Sequence, residues 1–196
     1  MGGSMDKHRL EAFSDGVIAI IITIMVLELK VPHGSNLADL RPLVPVFLSY
    51  VLSFVYIGIY WNNHHHLLHT ISHVTGSVLW ANLHLLFWLS LIPFATGWMG
   101  ENHFSSVPLA LYGFVLLMCA FAWTLLQRRL VAMQGRKSTL ALAVGRDLKG
   151  KISPAFYVAG IVSAFFNGHF SEAIYVLAAL MWLVPDRRFE KATPAE

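Results

Sequence analysis

A row of histidines is the first feature of the sequence that suggests chemistry. His65, His69 and His73 are spaced by four, so they would share one face if a helix continued that far. Such a row can bind zinc or copper, or ligate haem. A metal-bound imidazole usually needs a carboxylate or another acceptor behind it, yet no acidic residue occurs between Pro42 and Gly100. We therefore rank a metal- or haem-binding function below interfacial histidines that titrate near neutral pH, and we predict no metal and no cofactor.

Polar side chains also gather where the first apolar segment begins. Ser14 and Asp15 are adjacent there, so on a helix they point about 100° apart, and the sequence contains no nucleophile elbow or phosphate-binding loop. We predict no catalytic residue and no enzyme. Polar groups inside a membrane helix are costly and often mark function, so Asp15 and a histidine could instead relay protons in an ion-coupled secondary transporter. Transporters typically contain internal repeats and broken helices. Neither is evident in this sequence, apart from Pro93, which could break the third helix near its end.

The elements that must position these residues are membrane helices. The chain is 56% hydrophobic and only 13% charged, with a mean hydropathy of +0.59. The uncharged stretch from Pro42 to Gly100 has room for two bilayer crossings of about 20 residues each. Open strands cannot satisfy their backbone in hydrocarbon, so the fold class is all-α and polytopic. The six apolar segments lie at residues 9–29, 43–63, 78–98, 107–126, 152–167 and 170–184.

The positions of the basic residues predict the orientation in the membrane. With six spans, all of the fourteen Lys and Arg residues except Lys30 and Arg41 fall on one side, and the positive-inside rule makes that side cytoplasmic. We therefore predict a multi-pass protein of the cell membrane with both termini in the cytoplasm. The basic linker 127–151 is expected to touch anionic lipid headgroups rather than nucleic acid.

The domain organisation is simple. Gly2, Gly3 and Ser4 ahead of Met5 resemble a leader left by cloning, so residues 1–4 are set aside. Residues 5–186 are predicted to form a single six-helix transmembrane domain, and residues 187–196 a short cytoplasmic tail. Cys119 is the single cysteine, so neither a disulfide nor a thiolate cluster is expected, and we predict that it is a small buried hydrophobe.

Helical periodicity gives the first segment two different faces. Ile20, Thr23, Ile24 and Leu27 follow one stripe together with Gly16, whereas Glu11, Ser14 and Asp15 lie towards the opposite side. An aliphatic stripe of this kind ordinarily meets lipid or neighbouring helices. Spacing alone therefore does not reveal a pore.

Three blocks of residues carry a resemblance to a known family. Arg9, three residues and then Phe13, Ser14 and Asp15 are followed by Tyr-Trp-Asn-Asn-His-His at residues 60–65, by Leu-Trp-Ala-Asn-Leu at 79–83 and by Pro93 and Phe94. In this order and spacing the sequence resembles the transmembrane protein 175 family of potassium channels, as a prokaryotic member. The resemblance covers residues 9–94 closely, and the number of spans extends it loosely to the end.

The resemblance implies a homotetramer of six-helix subunits, whose first helices line a central pore for potassium and other monovalent cations in the lipid bilayer. Carried onto this chain, it implies passive conduction through a hydrophobic constriction made by Ile20, Thr23, Ile24 and Leu27. The Thr23 hydroxyl would either face the ion or bond back to its own helix. The sequence has no Thr-Val-Gly-Tyr-Gly filter, so selectivity should be weaker than in ordinary potassium channels. The implied signature network comprises Arg9, Phe13, Ser14, Asp15, Trp61, His64, His65, Trp80 and Asn82.

Overall fold

All six predicted segments are helical in the computed structural model of the chain, which describes residues 7–71, 73–135, 137–145 and 147–183. A short 3-10 helix, Leu37–Leu43, precedes the second segment. The α-helices are α1 (Lys7–Leu27), α2 (Val44–His69), α3 (Gly76–Ser90), α4 (Ile92–Glu101), α5 (Ser106–Gln134), α6 (Thr139–Gly145), α7 (Leu148–Ala164) and α8 (Gly168–Leu183).

Length and hydropathy mark four of these helical stretches as able to cross a bilayer. They are α1, the 3-10 helix continued into α2, the pair α3–α4, and α5. The helix α8 is apolar but has only 16 residues, and α7 has 17. The protein is therefore an all-helical membrane protein with several spanning helices.

Two helices run further than hydropathy predicted. The helix α2 continues through the histidines to His69, because polar side chains alone do not stop a helix and neither glycine nor proline occurs between Gly58 and His69. The helix α5 continues to Gln134, where Gly135 adopts a positive φ of 94° that a glycine accepts without strain. Part of the predicted linker is thus an extension of α5, and α6 occupies much of the rest.

The third predicted segment is two helices rather than one. The chain leaves regular helix at Leu91, between α3 and α4. Pro93 has no backbone N–H to donate to the carbonyl of Leu89, and its ring disfavours a straight helix at this point. The predicted span at 78–98 is therefore interrupted, although α3 and α4 together still form a continuous apolar stretch from Gly76 to Glu101.

The core of the subunit surrounds α5, which packs against α3, α4, α7 and α8. Four buried tyrosines meet edge to face or tilted between α2, α5, α7 and α8; they are Tyr56, Tyr112, Tyr157 and Tyr175. Gly113 and Gly160 lie so close to the Tyr175 ring that a Cβ at either position would overlap it. Cys119 is buried here, as predicted.

By contrast, α1 packs at one side of the subunit against α2, α3 and α4. Only 28% of the most apolar stretch of α1 is buried inside the subunit, against 61% of the corresponding stretch of α5. The predicted stripe therefore lies on a helix with an open flank.

Candidate functional site

The helix α1 has one face against the subunit and one face without a covering. Its buried residues recur every three or four positions; they are Leu10, Ser14, Ile18, Ile21 and Met25. The opposite face carries the predicted stripe. The periodicity of the first segment thus decides both which side chains are held and which are left open.

A hydrogen-bonded chain of three buried side chains fastens α1 to α2 and α3. The Asn82 amide nitrogen donates to Ser14 Oγ at 2.9 Å, and the Asn82 oxygen lies 2.7 Å from His64 Nε2. Because the amide oxygen faces the imidazole, Nε2 is the nitrogen that donates. All three side chains are at most 1% exposed. In a membrane interior, such polar groups persist because each has a partner.

A second contact lies beside this chain and is more accessible. The Trp61 indole N–H donates to Asp15 Oδ1 at 3.0 Å, and the Trp61 ring stacks on His65 at 6.2 Å between centroids. Trp61 is 45% exposed. The Asp15 carboxylate is therefore bound to a neutral donor of α2 at the rim of the subunit.

Three residues of the implied network lie outside it in the structure. Arg9 is exposed and forms no ion pair within the described residues. Phe13 is 53% exposed and Trp80 is 75% exposed. Trp80 precedes Asn82 by two positions, which places it about 200° away around α3, so both cannot face α1.

The four predicted constriction residues all lie on the open face of α1. Ile20 is 57% exposed, Ile24 43% and Leu27 79%. The Thr23 hydroxyl donates back to the carbonyls of Ala19 at 3.1 Å and Ile20 at 3.0 Å. The stripe is therefore free to meet lipid, another subunit or an aqueous path.

The stripe borders a groove between α1 and the break in the third span. This groove has a volume of about 490 Å³ and is lined by Ile20, Ile24, Glu28, Pro93 and Phe94, among others. Its walls are largely apolar, and Glu28 is the acidic group at its outer edge. The groove and the stripe together form one continuous uncovered surface of the subunit.

The histidine row is divided by the fold. The helix α2 ends at His69, so His73 does not continue the face of His65 and His69. His64 faces Asn82, whereas the rings of His65 and His69 pack edge to face at 4.3 Å. Among the described residues, no three His, Cys, Asp or Glu side chains are arranged to hold a metal ion.

An ion pair at the other end of α1 was missed by the sequence analysis. Lys30 Nζ lies 2.7 Å from Glu101 Oε1, which joins the residues just after α1 to the end of α4. The hydrogen bond to Glu101 and its negative charge raise the pKa of Lys30. The two residues are 71 positions apart, so only the basic residue close to the end of α1 could have drawn attention to this place.

A buried hydroxyl cluster was also missed. Ser53 Oγ lies 2.6 Å from Thr96 Oγ1 and donates to the Tyr112 hydroxyl at 3.0 Å. It joins α2, α4 and α5. Isolated hydroxyls in apolar segments are common, so no pattern in the sequence connects these three.

Comparison with known proteins agrees with this architecture. The family described as "Endosomal/lysosomal potassium channel TMEM175" matches residues 9–93. A protein named as a potassium channel of Chryseobacterium sp. (strain P1-3) is 56% identical over 188 residues, which cover 96% of this chain and 98% of that protein. A potassium channel of Streptomyces collinus is 35% identical over 126 residues, covering 60% of this chain and 61% of the relative.

A solved structure is similar over most of the fold. The crystal structure of a lysosomal potassium-selective channel TMEM175 homolog from Chamaesiphon minutus superimposes with a TM-score of 0.80 at 24% identity, covering 91% of this chain and 96% of that chain. At this identity the likeness concerns the fold. The similarity to the Chryseobacterium protein extends over nearly the whole of both chains, and the chain therefore belongs to the TMEM175 family.

Proposed function

We propose that this protein is a potassium-preferring cation channel that conducts passively, with α1 of each subunit lining a shared pore. The observation that carries the proposal is the division of α1 into two faces. Ser14 and Asp15 fasten one face to α2 and α3, while Ile20, Ile24 and Leu27 lie uncovered on the other. The potassium-channel names of the relatives support the same function.

The aliphatic stripe acts as a hydrophobic constriction in this proposal. Rings of Ile20, Ile24 and Leu27 from several subunits surround the path and exclude water when they approach closely. The same apolar segment of α1 then serves both as the gate and as the selectivity element. No carbonyl cage contributes, because the sequence has no such filter.

Thr23 contributes oxygen atoms between the aliphatic rings. Its hydroxyl hydrogen is used in the bonds to Ala19 and Ile20, so the lone pairs of Oγ1 stay directed away from the helix. A ring of such oxygens replaces part of the hydration shell of a monovalent cation. In this proposal Thr23 therefore bonds back to its own helix and faces the ion with the same side chain.

A single subunit cannot enclose a pore with α1 at its flank, so the proposal requires an oligomer, which we take to be a homotetramer. The groove beside the break at Leu91 adjoins the stripe and provides an apolar surface for a neighbouring copy. Closed rotational symmetry would bring the four copies of the stripe to one axis.

The proposed placement is the cell membrane, with a single transmembrane domain at residues 5–186 and both termini in the cytoplasm. The basic residues support this orientation, since Arg128, Arg129, Lys149 and Lys151 follow the fourth span on one side. Residues 1–4 and 187–196, which the sequence analysis set aside or predicted to be a tail, lie outside the described residues.

Purified protein in liposomes tests the function. A potassium gradient should drive ion flux without ATP and without an imposed proton gradient, and mixed potassium and sodium gradients should give a reversal potential that favours potassium. Flux that requires a proton gradient would identify the ion-coupled transporter instead. Absence of flux from folded, oligomeric protein would overturn the proposal.

A matched pair of substitutions tests the constriction. Ile24→Ser should raise conductance or reduce the preference for potassium, because a polar ring wets the narrow segment. Val26→Ser is the control, since Val26 is 44% exposed and Ile24 43%, but Val26 lies off the stripe. Single-channel recordings measure both. Equal effects of the two substitutions, or no effect of Ile24→Ser, would place the ion path elsewhere.

A further inference from the structure

A second groove lies between α5, α6 and α7. It has a volume of about 450 Å³, and its lining includes Phe121, Leu125, Gln127, Arg128, Lys151 and Pro154. It shares no residue with the groove beside the stripe. We call it the α5–α7 groove.

The α5–α7 groove is apolar at one end and basic at the other. Phe121 and Leu125 lie on the same face of α5 as Arg128, and Phe121 is about 10 Å further along the helix towards the membrane interior. Pro154 stands in the same relation to Lys151, one turn deeper on α7. An amphipathic molecule that lies along the helices, with its anionic end towards Arg128, fits this gradient.

A buried donor without a partner lies in the wall of the α5–α7 groove. Gln127 is only 4% exposed, and its amide Nε2 has no hydrogen-bond partner in the described part of the chain. Buried side-chain donors are nearly always paired, because an unpaired one keeps the full cost of its lost hydration. The N–H next to Arg128 therefore lacks an acceptor within the part of the chain that the structure describes.

The charges at this end favour an anionic acceptor. Arg128 is exposed, and Lys151 Nζ donates to the Gly145 carbonyl at 2.7 Å, which leaves two of its three hydrogens for a ligand. Asp147 also lines the groove, but its carboxylate accepts the Gly150 N–H at 2.8 Å and caps α7. The negative group is thus engaged, while both positive groups retain donors.

We propose that the α5–α7 groove binds an anionic phospholipid of the cytoplasmic leaflet. The phosphate accepts from Gln127 Nε2, Arg128 and Lys151, and an acyl chain lies along Phe121, Leu125 and Pro154. The leaflet follows from the orientation given under the proposed function, but binding does not depend on ion conduction. In the proposed orientation the basic end follows the fourth span on the cytoplasmic side, where lipid phosphates and anionic headgroups are found.

Native mass spectrometry of the full chain in detergent, titrated with phosphatidylglycerol or phosphatidylcholine, tests the proposal. We expect retained phosphatidylglycerol, with affinity falling about fivefold for Arg128→Gln and again for Lys151→Gln. The control is Arg129→Gln, which removes the same charge from the next position of α5, which is also exposed but does not line the groove. Equal weakening by Arg129→Gln, or equal binding of phosphatidylcholine, would overturn the proposal.

Two further arms identify the occupant and the role of Gln127. Inorganic phosphate in millimolar excess should not displace the lipid, and displacement would show that the groove is a site for free phosphate. Gln127→Met should weaken phosphatidylglycerol binding yet leave the melting temperature of lipid-free protein unchanged or higher, because it removes an unpaired donor. Unaltered lipid binding by Gln127→Met would refute the contact. Ion flux in liposomes that contain no anionic lipid tests the channel function separately from lipid binding.

Discussion

The two ends of α1 are held in opposite ways. At the amino-terminal end, Ser14 belongs to a buried chain of hydrogen bonds with Asn82 and His64. Beyond the carboxyl-terminal end, the polar contact is an exposed ion pair between Lys30 and Glu101, whose side chains are 76% and 48% accessible. Buried, fully partnered polar groups resist separation, whereas exposed pairs compete with water and salt.

The difference concerns the polar contacts of α1, which are buried at its amino-terminal end and exposed beyond its carboxyl-terminal end. The proposed constriction residues lie between the two attachments, and Leu27, the most exposed of them, is closest to the weaker one. A small tilt about the amino-terminal end would displace Leu27 more than Ile20. Gating by movement of α1 would therefore begin at the end held by Lys30.

The largest expected effect comes from breaking the buried attachment. Asn82→Leu removes the partner of both Ser14 and His64, and we expect a loss of about 2 kcal/mol in the free energy of unfolding. Unfolding in SDS, followed by circular dichroism, measures it. Asn63→Leu is the control, because the Asn63 amide donates only to the Ile59 carbonyl of its own helix. Equal loss in both variants would mean that the amino-terminal attachment is no stronger than an ordinary helix contact.

An intermediate effect is expected where the attachment reaches the rim. Trp61→Phe removes the N–H that binds Asp15 but keeps a ring against His65, and we expect a loss of about 0.5 kcal/mol. The same SDS titration measures it. A loss as large as that of Asn82→Leu would show that the Asp15 contact, rather than the buried chain, fastens α1.

The smallest effect on stability is expected at the exposed ion pair. We expect Lys30→Gln to alter the open time of the channel rather than the stability of the fold. The raised pKa of Lys30 adds stability that is complete below its ordinary pKa of 10.5 and is lost as pH rises through the higher folded-state value. The difference in melting temperature between wild type and Lys30→Gln should therefore vanish in strong alkali. A difference that persists there would mean that Lys30 acts through packing rather than charge.

The sequence predicted the helices better than their contacts. The apolar segments were long enough to identify, and periodicity placed Ser14 opposite Ile20 and Ile24. Hydropathy could not show that α2 continues through polar His64 and His69, since it measures transfer to lipid rather than helix formation. The position of Pro93 was visible, but the break it causes at Leu91 depends on how neighbouring helices accommodate it.

The site was predicted in part, for a geometric reason. The resemblance grouped Trp80 and Asn82 in one network, but two residues that are two positions apart on a helix point in different directions, and of this pair Asn82 faces α1. Lys30 and Glu101 could not be paired without the fold, because 71 residues separate them. Pairings between helices need the three-dimensional arrangement, whereas the faces of one helix do not.

The close fit of Tyr175 against Gly113 and Gly160 has a consequence for how this sequence can diverge. A methyl group at Gly160 would overlap the aromatic ring, and one at Gly113 would overlap the Tyr175 phenol and press on Ile161, so an alanine at either position requires a smaller side chain in place of Tyr175. The three positions should therefore covary among descendants of this gene. Saturation mutagenesis should find single replacements at Gly113 or Gly160 intolerable and rescue them by a second change on α8.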